Sequence, residues 1–291
     1  MQLGISTYTY PWAVGVPGFA PPAPLTVPDL ITRAGQQGVA ILQIGDNLPL
    51  HTLPPQELAA CKTLADLAQV RLEVGARRLT PEHLHTYLGI ARQLGSPFVR
   101  FVIDDADYKP SVDEVVGIIR EALGDIRRHN VRLAIENHDR FPARFLKRIV
   151  QSTDPHWVGI CLDTANSLGA GEDIDTVSDT LAPYTFNLHV KDFTVRRVSH
   201  KMGFHVEGAP AGQGLLSVPR LLQKLIPYNR CYSATLELWT PPEASVADTL
   251  RKEAAWAEES LAYLHPFFVK HFPLDVTEPK GDLTGQTLPE K

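Results

Sequence analysis

The sequence predicts a (β/α)8 barrel, and three observations carry that expectation. Short β-rich runs recur eight times along the chain, and segments of helical periodicity separate them. The alternation extends over about 250 residues, the usual length of one such barrel. A doubly wound open sheet shares the alternation, but no GxGxxG follows the first run.

The first run is QLGIST at 2–7, followed by VAILQIGD at 39–46 and VRLEVGA at 70–76. Thr80 then precedes Pro81, and proline suits the first position of a helix. After FVRFVID at 98–104, Ser111 and Glu114 form a capping box for a helix over 111–128. Its apolar face is Val115, Ile119, Leu123 and Ile126. Four further runs follow: VRLAIEN at 131–137, VGICLD at 158–163, TFNLHVKD at 185–192 and SATLELW at 233–239. A last helix is expected over 245–264, with Val246, Leu250, Ala254, Ala257, Leu261 and Leu264 as one stripe. The barrel is therefore expected to occupy residues 1–271 as a single domain. The remainder, 272–291, is polar, rich in Pro and Gly and without periodicity, and reads as a tail wrapping the outside or partly disordered.

Composition narrows the function. With 291 residues, 44% of them hydrophobic, the chain can bury a large core. A formal charge of −5, with both signs interspersed, offers no footprint for nucleic acid or an anionic membrane. A small-molecule partner is the expectation. The N-terminus lacks a basic region followed by a long apolar run, so the reading is a soluble, cytoplasmic protein. Cys61, Cys161 and Cys231 are odd in number and far apart, which suggests neither a disulfide framework nor a thiolate metal site.

Barrel enzymes place their chemistry at the C-terminal ends of the strands. Reading those ends gives Glu136, Asp163, His189 and Glu237, from four consecutive strands. Any one of them alone could be a loop anchor or a cap. Together they converge on one half of the mouth, where three carboxylates would repel each other unless a cation held them. Three oxygen donors and one imidazole suit a divalent metal, Mn²⁺ first, with Mg²⁺, Co²⁺ or Zn²⁺ as alternatives.

The set IENH, CLDTAN, NLHVKD and TLELW, in this order, resembles the xylose isomerase-like barrel superfamily, the sugar phosphate isomerase/epimerase group. The resemblance spans nearly the whole chain. It implies that Glu136, Asp163, His189 and Glu237 are metal ligands and that Glu136 and Glu237 are acid/base carboxylates on opposite sides of a substrate. The implied activity is isomerisation or epimerisation of a sugar or small hydroxy-keto compound by proton transfer through a metal-stabilised enediolate. A metal-dependent lyase or dehydratase of a keto-sugar or keto-inositol is the alternative. An endonuclease IV-like DNA-repair enzyme would need more metal ligands and a basic groove. Homo-oligomers are common in the group, and the rim aromatics leave room for one.

One position departs from the pattern. Many epimerases of the group carry His three residues after the strand-six Asp, and this chain has Asn166. Asparagine hydrogen-bonds but does not shuttle a proton near neutral pH. His138, on the same side of its strand as Glu136, and His205, in the long connection after strand seven, are candidate replacements at the substrate. Lys191, alternating onto the face of His189, could polarise a substrate oxygen. Tyr8 and Trp12, with Tyr10 between them, could stack on a sugar face. The basic stretch TVRRVSHK at 194–201 reads as a solvated loop, and AGQG at 211–214 is a weak phosphate-cradle signal.

Overall fold

The computed structural model describes residues 1–271, so the segment 272–291 lies outside the described residues. The expected barrel is present. Its strands are β1 (Gln2–Ser6), β2 (Ile41–Ile44), β3 (Arg71–Arg77), β4 (Phe98–Val102), β5 (Arg132–Glu136), β6 (Val158–Asp163) and β7 (Thr185–Val190). After β8 (Asp192–Arg197) and β9 (Phe204–Ala209), β10 (Ser233–Leu236) closes the ring between β7 and β1. All neighbouring barrel strands run parallel.

The helices are α1 (Pro11–Val14), α2 (Val27–Gln36), α3 (Pro55–Leu67), α4 (Pro81–Leu94) and α5 (Val112–His129). They continue as α6 (Ala143–Gln151), α7 (Ile174–Leu181), α8 (Val218–Leu225) and α9 (Val246–His271). Thr80 caps α4, whose Pro81 is the first helical residue, and the Ser111–Glu114 capping box opens α5. None of the described helices is long and apolar enough to cross a membrane. Cys61, Cys161 and Cys231 are free thiols.

Strand alternation divides the interior into two environments. Leu133 and Ile135 of β5 and Leu188 and Val190 of β7 join the large apolar cluster that the helices cover. The alternate residues face the barrel axis, where Phe98, Ala134, Cys161 and Phe186 make only a small apolar cluster. Above it the axis is polar: Ser6, Gln43, Glu73, Arg100, Asn187, Ser233 and Thr235 are all buried. Polar groups in such a place must pair, and that demand orders the site.

Two expectations change. The stretch 194–201 is half of an antiparallel hairpin, with Val195 opposite Val206 and Arg196 opposite His205. Val195, Arg196 and Arg197 are all exposed, so the strand is held by its pairing with Phe204–Val206 rather than by a buried face, and the basic charge is compatible with it. The buried stripe of α9 is also rotated. Val246 is exposed and Ala254 half-buried, whereas Thr249, Glu253, Ala257, Ser260, Leu261 and Leu264 are buried. Glu253 turns inward because its carboxylate accepts the backbone N–H groups of Trp12 and Ala13, at 2.8 and 3.0 Å.

Candidate metal centre and its cavity

Glu136 and Asp163 end β5 and β6, His189 is the penultimate residue of β7, and Glu237 directly follows β10. The register sets Asp163 beside His189 and His189 beside Thr235, with Glu136 beside Cys161, which brings the four side chains together at the mouth. From His189 Nδ1, Glu237 Oε1 lies at 3.3 Å, Asp163 Oδ2 at 3.7 Å and Glu136 Oε2 at 3.8 Å. All four residues are buried.

The orientation of His189 follows from a hydrogen-bond chain. Asn187 directs its Nδ2 to Ser233, so its Oδ1 faces Gln43. Gln43 Nε2 then donates to Asn187 Oδ1 and to Glu73 Oε2, which leaves Gln43 Oε1 to meet His189 Nε2 at 2.6 Å. An acceptor at that place requires the hydrogen on Nε2. Nδ1 is thereby turned toward the carboxylates, as a lone pair in the neutral imidazole and as an N–H in the protonated one.

His189 Nδ1 and Glu136 Oε2 are buried without a hydrogen-bond partner. Orphaned donor atoms a few ångströms apart fit a divalent cation, since atoms bound at about 2.1 Å lie about 3 to 3.5 Å from one another. The trio Asp163, His189 and Glu237 has ligand atoms all within 4.8 Å, as does Glu136 with Cys161 and His189. These residues could hold a metal ion; their chemistry does not single out which.

Two fixed cations share the cluster. Lys191 Nζ bridges Asp163 Oδ2 at 2.8 Å and Glu237 Oε2 at 2.9 Å. Arg100, fully buried, brings Nε to 2.7 Å from Glu136 Oε2, an ion contact not aligned as a hydrogen bond. Its Nη1 reaches Asp46 Oδ1 at 3.0 Å. Burial would raise the Asp163 carboxyl, but Lys191 and His189 hold it well below the usual range. Glu237 behaves alike: burial pushes it up, and His189 with Lys191 outweigh that and lower it. Burial would lower Lys191, yet Asp163, Glu237 and Glu136 raise it, so the ammonium keeps its proton.

The remaining carboxylate oxygens are also engaged. Asp163 Oδ1 accepts the backbone N–H groups of Ala165 and Asn166, both at 2.8 Å. Glu237 Oε1 accepts from Ser6 Oγ at 3.0 Å, and Glu136 Oε1 accepts from Asn166 Nδ2 at 2.8 Å.

A cavity of about 530 Å³ opens on this cluster. Of the expected substrate residues, Tyr8, His138, Asn166 and Lys191 line it, together with Glu136 and Glu237. Trp12 and His205 are not in its lining. A helical turn at Thr7–Thr9 followed by α1 swings Trp12 away, and its Nε1 donates to Thr240 O at 2.7 Å. Tyr10 is buried, its hydroxyl accepting from Gln37. His205 is exposed on the hairpin, where Val206 is the residue that reaches the cavity.

Sequence reasoning missed Asp46, Arg77, Arg100 and Trp239, which also line the cavity, Arg100 against Glu136 and the Trp239 ring 5.0 Å from the Lys191 ammonium. Arg100 stands in the middle of FVRFV, away from the strand ends, and the signal that could have found it is a charged residue inside an apolar strand. The AGQG loop is no anion cradle, because the Asp192 carboxylate already accepts from Gly212, Gly214, Phe193 and Leu216 N–H groups. At Gly214 a side chain would collide with that carboxylate, 2.2 Å from where its Cβ would lie.

The family described as xylose isomerase-like TIM barrel matches residues 46–266. The 3-oxo-isoapionate decarboxylase of Pectobacterium atrosepticum is 33% identical over 265 residues, covering 91% of this chain and 95% of that protein. Among solved structures, D-psicose 3-epimerase in the presence of D-fructose superposes with a TM-score of 0.69 at 13% identity, covering 93% of this chain and 99% of the other. A xylose isomerase-like TIM barrel protein of Mycobacterium smegmatis in complex with magnesium gives 0.62 at 12% identity, covering 81% and 89%. At those identities the two structures speak for the fold alone.

Proposed function

This chain belongs to the xylose isomerase-like TIM barrel family, and from that premise we propose that it is a divalent-metal-dependent lyase releasing CO2 from a 3-oxo sugar acid. The observation carrying this reading is that both glutamates at the cavity are already matched to fixed cations, Glu136 to Arg100 and Glu237 to Lys191. Epimerisation needs two bases on opposite faces of a carbon, each ready to take and return a proton, and a carboxylate shared with a fixed cation is a weaker base. Loss of CO2 needs no base at carbon; it needs positive charge where the electron pair goes, then one proton for the carbon left behind. The likeness to a 3-oxo-acid decarboxylase over nearly the full length supports the same choice.

In this reading Asp163, His189, Glu136 and Glu237 hold the metal, which supplies charge stabilisation for the oxyanion that develops at the keto group. Lys191 adds a second, permanent positive charge at the same wall and keeps its proton throughout. Asn166 holds Glu136 in place and offers its carbonyl to the Lys191 ammonium, at 3.4 Å. Gln43 keeps His189 Nδ1 turned to the cluster.

The sugar isomerase or epimerase reading remains the second one, favoured by Glu136 and Glu237 lining a single cavity. One experiment separates them. Metal-loaded protein is offered 3-oxo sugar acids and ketoses in deuterated water. The lyase reading expects CO2 release from an acid and no exchange of ketose C–H protons; exchange without CO2 would replace it with the epimerase. Asp163→Ala should abolish metal uptake and lower turnover by at least about a thousandfold.

A further inference from the structure

The cavity wall opposite the metal cluster carries Arg77, Asp46 and Tyr8. Asp46 is held from three sides, by Arg100 Nη1 at 3.0 Å, Arg77 Nε at 3.1 Å and Tyr8 OH at 3.2 Å. Burial would raise its carboxyl, but the two guanidinium groups bring it down to about 2, so it stays ionised. Arg77 is thus gripped at Nε alone. Neither of its terminal nitrogens has a partner among the described residues, and its side chain is 32% exposed at the cavity.

Every carboxylate along this lining has a partner of its own. Asp46 has Arg100 and Tyr8, Glu136 has Arg100 and Asn166, Glu237 has Lys191 and Ser6, and Asp139 has His138. The unspent donor capacity is the Nη1/Nη2 edge of Arg77. A guanidinium fixed at Nε presents that edge as a planar fork, the shape that takes two oxygens of one carboxylate.

We propose that Arg77, oriented by Asp46, forms a carboxylate-binding subsite that selects sugar acids over neutral sugars. A phosphate dianion would ask for more donors than one fork, and the glycine-rich loop that could supply them is spent on Asp192. The substrate then lies between the two, its keto oxygen toward the metal cluster and its carboxylate, separated from the keto carbon by one carbon, on Arg77. Arg77 serves binding and selection, and when the C–C bond breaks its electron pair goes to the keto oxygen while the acid leaves Arg77 as neutral CO2. The nature of that acid rests on the lyase reading; the subsite itself rests on the geometry of Arg77.

The test is a binding measurement on the metal-loaded full chain, independent of CO2 release, so failure of the lyase reading would not count as failure of the subsite. Calorimetry compares D-gluconate with D-glucitol, which differ as carboxylate and hydroxymethyl, with inorganic phosphate as a third probe. The wild-type protein should bind gluconate at least about tenfold more tightly than glucitol. Arg77→Met should erase that preference while leaving glucitol affinity unchanged in a protein that still folds, with a melting temperature lowered by the loss of one Asp46 partner, and Arg77→Lys should restore part of the preference. Equal binding of the two polyols by the wild type, gluconate affinity within twofold after Arg77→Met, or equal loss of both ligands would overturn the proposal. So would tighter binding of phosphate than of gluconate, which would reassign the subsite to phosphate.

Discussion

Two regions of this barrel each bury a glutamate, and they treat it in opposite ways. At the seam between α9 and α1, Glu253 accepts two backbone N–H groups and has no ion-pair partner within reach among the described residues. Burial pushes its carboxyl up to about 7, against the pull of those donors. At the mouth, Glu237 is equally buried but sits among His189, Lys191 and Arg100, and its carboxyl is lowered. Burial by itself favours the neutral acid; at the mouth it is placed cations that outweigh burial and keep Glu237 ionised. The seam uses its glutamate to fasten a helix start, whereas the mouth invests cations to keep negative charge available.

The strongest way to break the contrast is to remove a cation from the mouth. Arg100→Met leaves Glu136 and Asp46 buried without their shared guanidinium, and should cost about 3 to 5 kcal/mol in urea denaturation of the metal-free protein. Metal should restore part of that loss. A cost below about 1 kcal/mol would mean that the mouth does not depend on its cations.

Next in size is the seam. A carboxyl raised in the folded state favours folding below its ordinary value near 4.5, and that contribution is lost as pH rises through about 7. Between pH 4.5 and 8 the stability of Glu253→Gln relative to wild type should therefore rise by up to about 3 kcal/mol. A difference independent of pH would place Glu253 with the ionised carboxylates.

The smallest effect sharpens the role of the hydrogen-bond chain. Gln43→Leu removes the acceptor at His189 Nε2 and should weaken metal binding about 10- to 100-fold. Nitrogen chemical shifts of the imidazole should then report mixed tautomers. A single unchanged tautomer would show that the cluster orients His189 without Gln43.

Much of this arrangement was legible in the chain. The strands of the barrel, the caps of α4 and α5 and the approach of Glu136, Asp163, His189 and Glu237 follow from local periodicity combined with one architectural rule. Strand position decides which residues reach the rim, and that survives shifts of one or two residues at strand ends. The Asp46–Arg77–Arg100 wall was not found, because the rim rule was applied only to the later strands. Trp12 was misplaced for a different reason: the chain past β1 coils into two short helical turns, in which each residue points its side chain about 100° around the axis from the one before.

Sequence by itself determined the class of fold and the four side chains that face one another, since alternation and spacing are properties of the chain. Only tertiary structure decided which partners those side chains have. Lys191 is two residues from His189, yet its ammonium lies on carboxylates supplied by other strands, Asp163 and Glu237. Arg100 joins Asp46 to Glu136 across 54 and 36 positions of chain. Ionisation in a buried site depends on distances between such remote groups, and closure of the barrel is what sets those distances.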